Sequence, residues 1–305
     1  MTLRPVRAVR SPSETRWRRG RSGSVLVGIV TRNRAAILPI AIRSALSQSY
    51  EDLCITVLND GSSDGTSALR SQFPEVEWLN WESPRGLIAA RNQLMQTTEA
   101  EYYLSLDDDA WFLTGDEISV AIQHLQRNRT LAAVALDILT PERGSSAARS
   151  AARPVAAFIG CGHVLRMSAV REAGFYVSSP GLYGSEEKDL CLRLLDRNWD
   201  IHLLPGVHVL HDKTSVARNQ PAQHCSGVCN DLVVALRRCP FPLALGVLPI
   251  KILNHLRFSV THGLTKPCID GLGLFFSKAP ALLSSRGPVR SATFTKYVRR
   301  THQIL

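Results

Sequence analysis

Between residues 24 and 106 the chain alternates short apolar runs with stretches of helical spacing, and this alternation limits the possible folds most strongly. The runs typical of strands cover residues 24–30, 53–58, 76–80 and 102–106. The segments between them have helical apolar spacing over 35–48, around Ala68 and Leu69, and from Gly86 onward. Parallel strands need such crossover connections. The sequence therefore predicts an α/β fold, with a mostly parallel sheet and helices on both of its faces.

Three of these runs end in polar clusters. Residues 31–34 follow the first run, Asn59 and Asp60 follow the second, and 107–109 follow the fourth. Open parallel sheets bind ligands outside the carboxyl ends of their strands. We therefore expect the three clusters to form a single site at that edge.

The fourth run ends in the adjacent carboxylates Asp107, Asp108 and Asp109. Strand alternation directs Asp107 and Asp109 to one side and Asp108 to the other. Carboxylate oxygens are the ligands that Mg²⁺ and Mn²⁺ prefer. A triplet of this kind by itself favours a solvated acidic turn, so the metal interpretation depends on the other motifs.

Composition narrows the function classes. A chain of 305 residues with 45% apolar and 20% charged residues is typical of a globular protein. Its net charge of +10 predicts an anionic partner such as a phosphate, a nucleotide, an acidic lipid surface or a nucleic acid. The seven scattered cysteines favour reduced thiols in the cytoplasm over a disulfide framework. Structural zinc beside Cys225 and Cys229 is disfavoured, because no second Cys/His pair with finger spacing completes the ligand set.

The two ends of the chain differ from its centre. Residues 1–22 carry seven arginines and little apolar content, which predicts a disordered basic arm without the apolar core of a secretory signal. Residues 141–153 are predicted to be a mobile loop. Residues 221–305 form a helical, partly apolar tail interrupted by prolines, glycines and basic residues, beyond a predicted catalytic domain over 23–220. Interfacial membrane helices and helices packed on a protein surface both fit this tail.

Seven motifs occur in an order that resembles a known family. They are 27–34 (VGIVTRNR), 59–66 (NDGSSDGT), 86–92 (GLIAARN), 106–109 (LDDD), 158–162 (FIGCG), 186–193 (EEKDLCLR) and 209–211 (VLH). The chain resembles the family 2 glycosyltransferases of the inverting GT-A type, including rhamnosyltransferases of bacterial polysaccharide synthesis. The resemblance covers residues 24 to about 215 and, more loosely, the tail to about 300. It implies a GT-A (Rossmann-like) fold.

The resemblance also implies roles for individual residues. The nucleotide-binding positions correspond to Thr31, Arg34, Asp60, Arg91 and Asp108. Asp107 and Asp109 match the family's DxD motif and, with His211, would hold Mg²⁺ or Mn²⁺ on the sugar diphosphate. An Asp-Gly-Ser turn whose acid binds its own backbone explains Asp60 equally well, and an ordinary strand-end histidine explains His211.

Glu187 matches the family's catalytic base. The neighbouring acids Glu186 and Asp189 should raise its pKa towards the working pH. Relatives more often carry Asp there, so Glu186 stays an alternative. Glu186 and His163 are also candidate acceptor contacts. The sequence departs from the family at Arg32, where relatives often have Tyr, and at Asn59, where they often have Asp.

The resemblance implies an inverting, metal-dependent glycosyltransferase. Its donor would be a UDP-, dTDP- or GDP-sugar, and its acceptor a hydroxyl of a saccharide or lipid-linked glycan. We expect a cytoplasmic protein, peripheral on the inner membrane face. A sugar nucleotidyltransferase is the rival enzyme, but residues 31–34 lack the glycine-rich loop that grips a triphosphate. A non-catalytic nucleotide binder is a third possibility, whereas a nucleic-acid partner is disfavoured because no stacking aromatics accompany the basic charge.

Overall fold

A computed structural model of the chain describes residues 22–141, 149–213 and 219–302. The predicted basic arm, apart from residue 22, and residues 142–148 of the predicted loop lie outside this part. The elements described below belong to the three described ranges.

The N-terminal half has the predicted alternation of strands and helices. Its elements are β1 (Val25–Thr31), α1 (Leu38–Leu46), β2 (Leu53–Asp60), a 3-10 helix (Gly65–Gln72), β3 (Glu77–Trp81), α2 (Leu87–Thr97) and β4 (Tyr102–Asp107). The helix expected around Ala68 is thus a 3-10 helix, whose N-cap Asp64 accepts a hydrogen bond from Thr66 N at 2.9 Å.

The following segment adds five strands and three helices in the described ranges. They are β5 (Ala110–Phe112), α3 (Glu117–Arg127), β6 (Leu131–Leu139), β7 (Arg153–Pro154), β8 (His163–Arg166), α4 (Met167–Ala173), α5 (Glu186–Asp196) and β9 (Asp200–His211). The two short runs expected at 201–205 and 207–211 form the single strand β9. Its register against β6 shifts at Pro205 and Gly206, so Leu136 lies opposite Leu204 and Asp137 opposite His208.

The described strands form one sheet in the order β3-β2-β1-β4-β8-β6-β9-β5, with β7 beside β9. Strands β1 to β4 are parallel to their neighbours within this group, and β6 is parallel to β9. Strand β8 runs antiparallel between β4 and β6, and β5 and β7 are antiparallel to β9. The predicted α/β class with a mostly parallel sheet is confirmed.

Two apolar clusters cover the two faces of the sheet. Alternation along β1 directs Val27 and Ile29 to the face covered by α1 and α3, and Leu26 to the face covered by α2, α4 and α5. Gly28, between them, lies under the buried ring of Tyr103, and a Cβ there would lie 2.6 Å from Tyr103 Cε2. Close packing of this aromatic ring therefore requires glycine at position 28.

The tail consists of α6 (Gln220–Arg238), α7 (Leu243–Thr261), α8 (Thr265–Ser284) and α9 (Ser291–His302), which confirms the predicted helical region. Helices α6, α7 and α8 share an apolar cluster of their own. Within the described part of the chain, α7 is the one helix long and apolar enough to cross a membrane, and 11% of its apolar window is buried. The exact boundary between catalytic domain and tail stays a prediction.

Candidate active site

The polar ends of β1 and β4 lie side by side. The parallel register pairs Val30 with Asp107, so Thr31 lies beside the acidic triplet. Thr31 Oγ1 donates to Asp108 Oδ2 at 2.8 Å, and Arg34 Nη1 donates to Asp109 Oδ2 at 3.1 Å. Burial raises the pKa of Asp108 to about 7, although Arg34 and the Thr31 hydroxyl oppose the shift. The two clusters expected to meet at this edge do meet.

Asp60, at the end of β2, binds the loop that precedes α2. Its two carboxylate oxygens accept hydrogen bonds from Arg85 N at 2.6 Å and Gly86 N at 2.9 Å. Asp60 is 5% exposed. It thus fixes the N-terminus of α2, and its contact with a nucleotide stays a prediction.

His211 faces the acidic triplet from the end of β9, because Ala110 of β5 pairs with it. His211 Nε2 lies 3.1 Å from Asp109 Oδ1 and 3.9 Å from Asp107 Oδ2. Both ring nitrogens are buried, and neither makes a hydrogen bond to any described residue. Buried polar groups are normally partnered, so an imidazole held against two carboxylates fits a divalent cation.

Cys161 joins this group, since one ligand atom each of Asp107, Cys161 and His211 lie within 4.8 Å of one another. The thiol is buried, and burial raises its pKa well above the usual range. The hard carboxylate oxygens suit Mg²⁺ or Mn²⁺, whereas a thiol does not favour either ion. Asp107, Asp109 and His211 therefore fit the predicted cation better than a set that includes Cys161.

Arg91, on α2, connects the acidic triplet to α5. Its Nη2 donates to Asp107 Oδ1 at 2.7 Å and to Gly160 O at 3.0 Å. Its Nη1 donates to Glu187 Oε1 at 3.3 Å and lies 3.7 Å from Glu186 Oε1. Arg91 is 2% exposed. One buried guanidinium thus holds together carboxylates that are 80 positions apart in the chain (107 to 187).

The carboxylates of Glu186 and Glu187 have different environments. Glu186 Oε2 accepts a hydrogen bond from Gly184 N at 2.6 Å, and its side chain is 2% exposed. The side chain of Glu187 is 15% exposed. Burial, with repulsion from Glu186, raises the pKa of Glu187 to about 7, while Arg91 opposes this shift. Glu187 is therefore the more accessible acid and is matched to proton transfer near neutral pH.

Asp189 does not face this site. It binds Arg193 Nε at 2.7 Å and Arg238 Nε at 2.6 Å. Asp189 and Arg193 thus pair on one face of α5, and Asp189 contributes to packing of α5 on α6.

The structure does not support His163 as an acceptor contact. It is fully buried and stacks on Phe158 with ring centroids 4.2 Å apart. Its Nδ1 lies 2.9 Å from Ile159 O, which can only accept, so Nε2 accepts from Tyr176 Oη at 3.0 Å. Burial lowers the pKa of His163 to about 3, with Arg91 adding to the effect. With both nitrogens bonded, His163 instead supports the segment that carries Gly160.

The model of glycosyl transferase family 2 matches residues 26–168. No protein with a curated description matches the sequence significantly.

Several solved structures share the fold. S. aureus TarS in complex with UDP-GlcNAc is 15% identical, with a TM-score of 0.62, covering 86% of this chain and 84% of that one. The mannosyltransferase PcManGT from Pyrobaculum calidifontis, in complex with GDP-Man and Mn²⁺, is 17% identical, with a TM-score of 0.59, covering 92% and 84%. GalNAc-T7 with UDP, GalNAc and Mn²⁺ is 13% identical, with a TM-score of 0.59, covering 72% and 48%. At these identities the likeness concerns the fold. The match to the model of glycosyl transferase family 2 therefore concerns the domain that residues 26–168 form.

Proposed function

We propose that this chain is an inverting glycosyltransferase that moves a sugar from a nucleoside diphosphate donor to an acceptor hydroxyl. The observation that carries the proposal is the position of Arg91, which contacts both Asp107 and Glu187. It brings a carboxylate with a pKa near 7 next to the acids that fit a cation.

In the proposed reaction the acceptor oxygen attacks the anomeric carbon of the donor sugar as its proton passes to Glu187. The new C–O bond forms while the bond from the anomeric carbon to the phosphate oxygen breaks, and the electron pair leaves with the nucleoside diphosphate. Single displacement of this kind inverts the anomeric configuration. A pKa near 7 leaves Glu187 partly ionised at neutral pH, as a general base requires.

We propose that Asp107, Asp109 and His211 hold the divalent cation, Mn²⁺ or Mg²⁺, on the donor diphosphate. When bound, such an ion neutralises charge on the departing nucleoside diphosphate. We propose Thr31, Arg34, Asp60, Arg91 and Asp108 as the nucleotide side of the cleft. Thr31 and Arg34 contribute by binding the acids that directly follow β4.

The acceptor is proposed to be a saccharide or a lipid-linked glycan presented at the cytoplasmic face of a membrane. The family 2 relationship supports a saccharide acceptor in general terms. The rhamnosyltransferase-like subtype stays a prediction, and the sequence departs from the family's usual residues at Arg32 and Asn59.

Release of nucleoside diphosphate from a panel of UDP-, dTDP- and GDP-sugars tests this function. With Mn²⁺ present we expect release from one nucleotide class, and loss of release in EDTA or in Asp109→Asn. Glu75→Gln, an exposed carboxylate change in the same domain, serves as the control and should retain activity. Release of pyrophosphate from a nucleoside triphosphate and a sugar phosphate would instead identify a nucleotidyltransferase.

The rate of transfer should depend on the ionisation of Glu187. Because burial and Glu186 raise its pKa to about 7, we expect kcat to rise with pH through about 7 and to level off above it. Initial rates between about pH 5 and 9 at saturating donor measure this. A midpoint near 4 to 5, the ordinary range of a glutamate, would contradict the assignment.

Gly160→Ala should reduce activity with little loss of stability. A Cβ at this position would overlap the Glu187 carboxylate and lie 3.1 Å from Arg91 Nη1. The carboxylate end of a flexible side chain can yield, so we expect Glu187 to shift and kcat to fall more than about tenfold. Gly227→Ala on α6 is the matched control, because no described atom lies within 4 Å of the added carbon. Equal kcat for the two variants would contradict the proposed position of Glu187.

A further inference from the structure

Helices α7 and α8 present several large apolar side chains to solvent, and we name this set the α7–α8 face. It carries Leu245, Ile250, Leu253 and Val260 on α7, and Ile269 and Phe276 on α8. Leu245, Ile250, Val260 and Phe276 are 68%, 60%, 66% and 58% exposed. Leu253 and Val260 are seven residues apart, as are Ile269 and Phe276, so each pair lies on one side of its helix. Exposed large apolar side chains grouped on two helices that pack together indicate an interaction site.

Other residues of α7 are already packed. Leu248, Ile252 and Leu256 lie against the buried apolar cluster that α6 and α8 share. The α7–α8 face is therefore a second apolar surface, in addition to the one that holds the tail together.

The charge around this face indicates its partner. Residues 239–290, all of them described, contain six lysines and arginines, of which Lys251 pairs with Asp231 and Arg290 with Asp196, whereas Asp270 is the one acid in this segment. Asp270 is itself bound by Lys266 Nζ at 2.9 Å. Apolar side chains bordered by basic ones and almost no acids fit an anionic lipid surface. A second copy of the chain would instead bring like charges together.

A charged cluster around the buried Asp231 fixes α7 to the rest of the protein. Asp231 on α6 binds Lys251 Nζ at 2.7 Å and His255 Nε2 at 3.1 Å, both on α7. It also binds Lys188 Nζ at 2.9 Å, next to Glu187 on α5. Crossing a bilayer would require α7 to leave this cluster and expose its partners to lipid, which costs far more than lying on the surface.

We propose that the α7–α8 face docks on an anionic membrane surface, with α7 lying in the plane of the interface. Docking does not require the proposed catalysis, although Lys188, next to Glu187 on α5, pairs with the same Asp231 that binds α7. The site would then face a lipid-linked acceptor at a constant orientation to the membrane.

Sedimentation with lipid vesicles tests the proposal on the full chain. We expect the protein to bind phosphatidylcholine vesicles that contain phosphatidylglycerol at least about tenfold more tightly than phosphatidylcholine alone. Ile250→Glu with Leu253→Glu should lower that binding at least about tenfold, because two charges enter the apolar face. Ser71→Glu with Gln72→Glu adds the same charge on the 3-10 helix and should bind like the wild type.

Lys266→Gln with Lys278→Gln provides a second variant that leaves the apolar core of the tail untouched, and it should lose the preference for anionic lipid. Nucleoside diphosphate release on a soluble acceptor is measured for each variant, so a failure of docking is distinguishable from a failure of the catalytic proposal. Absence of vesicle binding would overturn the proposal. Resistance to carbonate extraction would also overturn it, because this result indicates a membrane span. So would a wild-type protein that is dimeric and binds no lipid, if the variant with Ile250→Glu and Leu253→Glu is monomeric.

Discussion

Glu187→Gln is expected to lower kcat by roughly 10²- to 10⁴-fold, the usual contribution of a general base. The amide keeps the size of the side chain but cannot take the acceptor proton. Donor binding should change little, because Asp107 is bound by Arg91 Nη2 and Glu187 by Nη1, so the Asp107 contact is kept. Single-turnover transfer and donor titration, measured on the same preparation, separate the two effects.

Glu186→Gln is the matched comparison for this result. Its amide oxygen can still accept the Gly184 N–H that Glu186 Oε2 binds now, so we expect a loss of less than about tenfold. Removal of the Glu186 charge should also shift the pH midpoint of transfer downwards, since that charge raises the pKa of Glu187. A larger loss for Glu186→Gln than for Glu187→Gln would reverse the assignment of the base.

Arg91→Ala is expected to lower the free energy of unfolding by about 3–5 kcal/mol, because it removes one partner from a buried ionic cluster. The loss leaves the Asp107 and Glu187 carboxylates and the Gly160 carbonyl without their shared donor. Urea unfolding followed by circular dichroism measures the change. Transfer should also fall below detection, since the separation of the two carboxylates is no longer fixed.

Arg91→Lys separates charge from geometry in the same cluster. A lysine keeps the positive charge but lacks the planar fork that contacts several oxygens at once, so we expect intermediate stability and almost no transfer. Arg85→Ala is the control: the side chain of Arg85 is exposed and lies over Trp81, while its backbone N–H, which binds Asp60, is retained. A wild-type unfolding energy for Arg91→Ala would mean that the cluster contributes little.

The sequence predicts the first half of the fold well for a physical reason. Strands β1, β2 and β4 are largely buried, so each is a nearly continuous apolar run that ends abruptly in polar residues. The meeting of Thr31 with Asp108 follows from the parallel pairing of those strand ends. The geometry at Asp107, Asp109 and His211 agrees with the motif-based prediction, while the cation itself stays a proposal.

Other features have no local signal. The direction of β8 is not encoded in the four residues His163–Arg166, which would suit either orientation. The bridging role of Arg91 depends on contacts 69 and 96 positions away along the chain. The burial of His163 depends on Tyr176, whose hydroxyl completes its hydrogen bonding. Such long-range contacts become visible only when the packing is known.

The antiparallel orientation of β8 relative to β4 affects which chain segment reaches the cleft. In a uniformly parallel sheet, every chain segment at the carboxyl ends of the strands leads out of a strand. Here the segment over residues 158–162 lies at that same edge but leads into β8. Gly162 N donates to Ser105 O at 2.9 Å, which ties this incoming segment to β4 just before the acids. Lengthening the approach to β8 by one residue would therefore misplace Gly160 under Arg91, while an insertion after Arg166 would alter only the opposite end of the sheet.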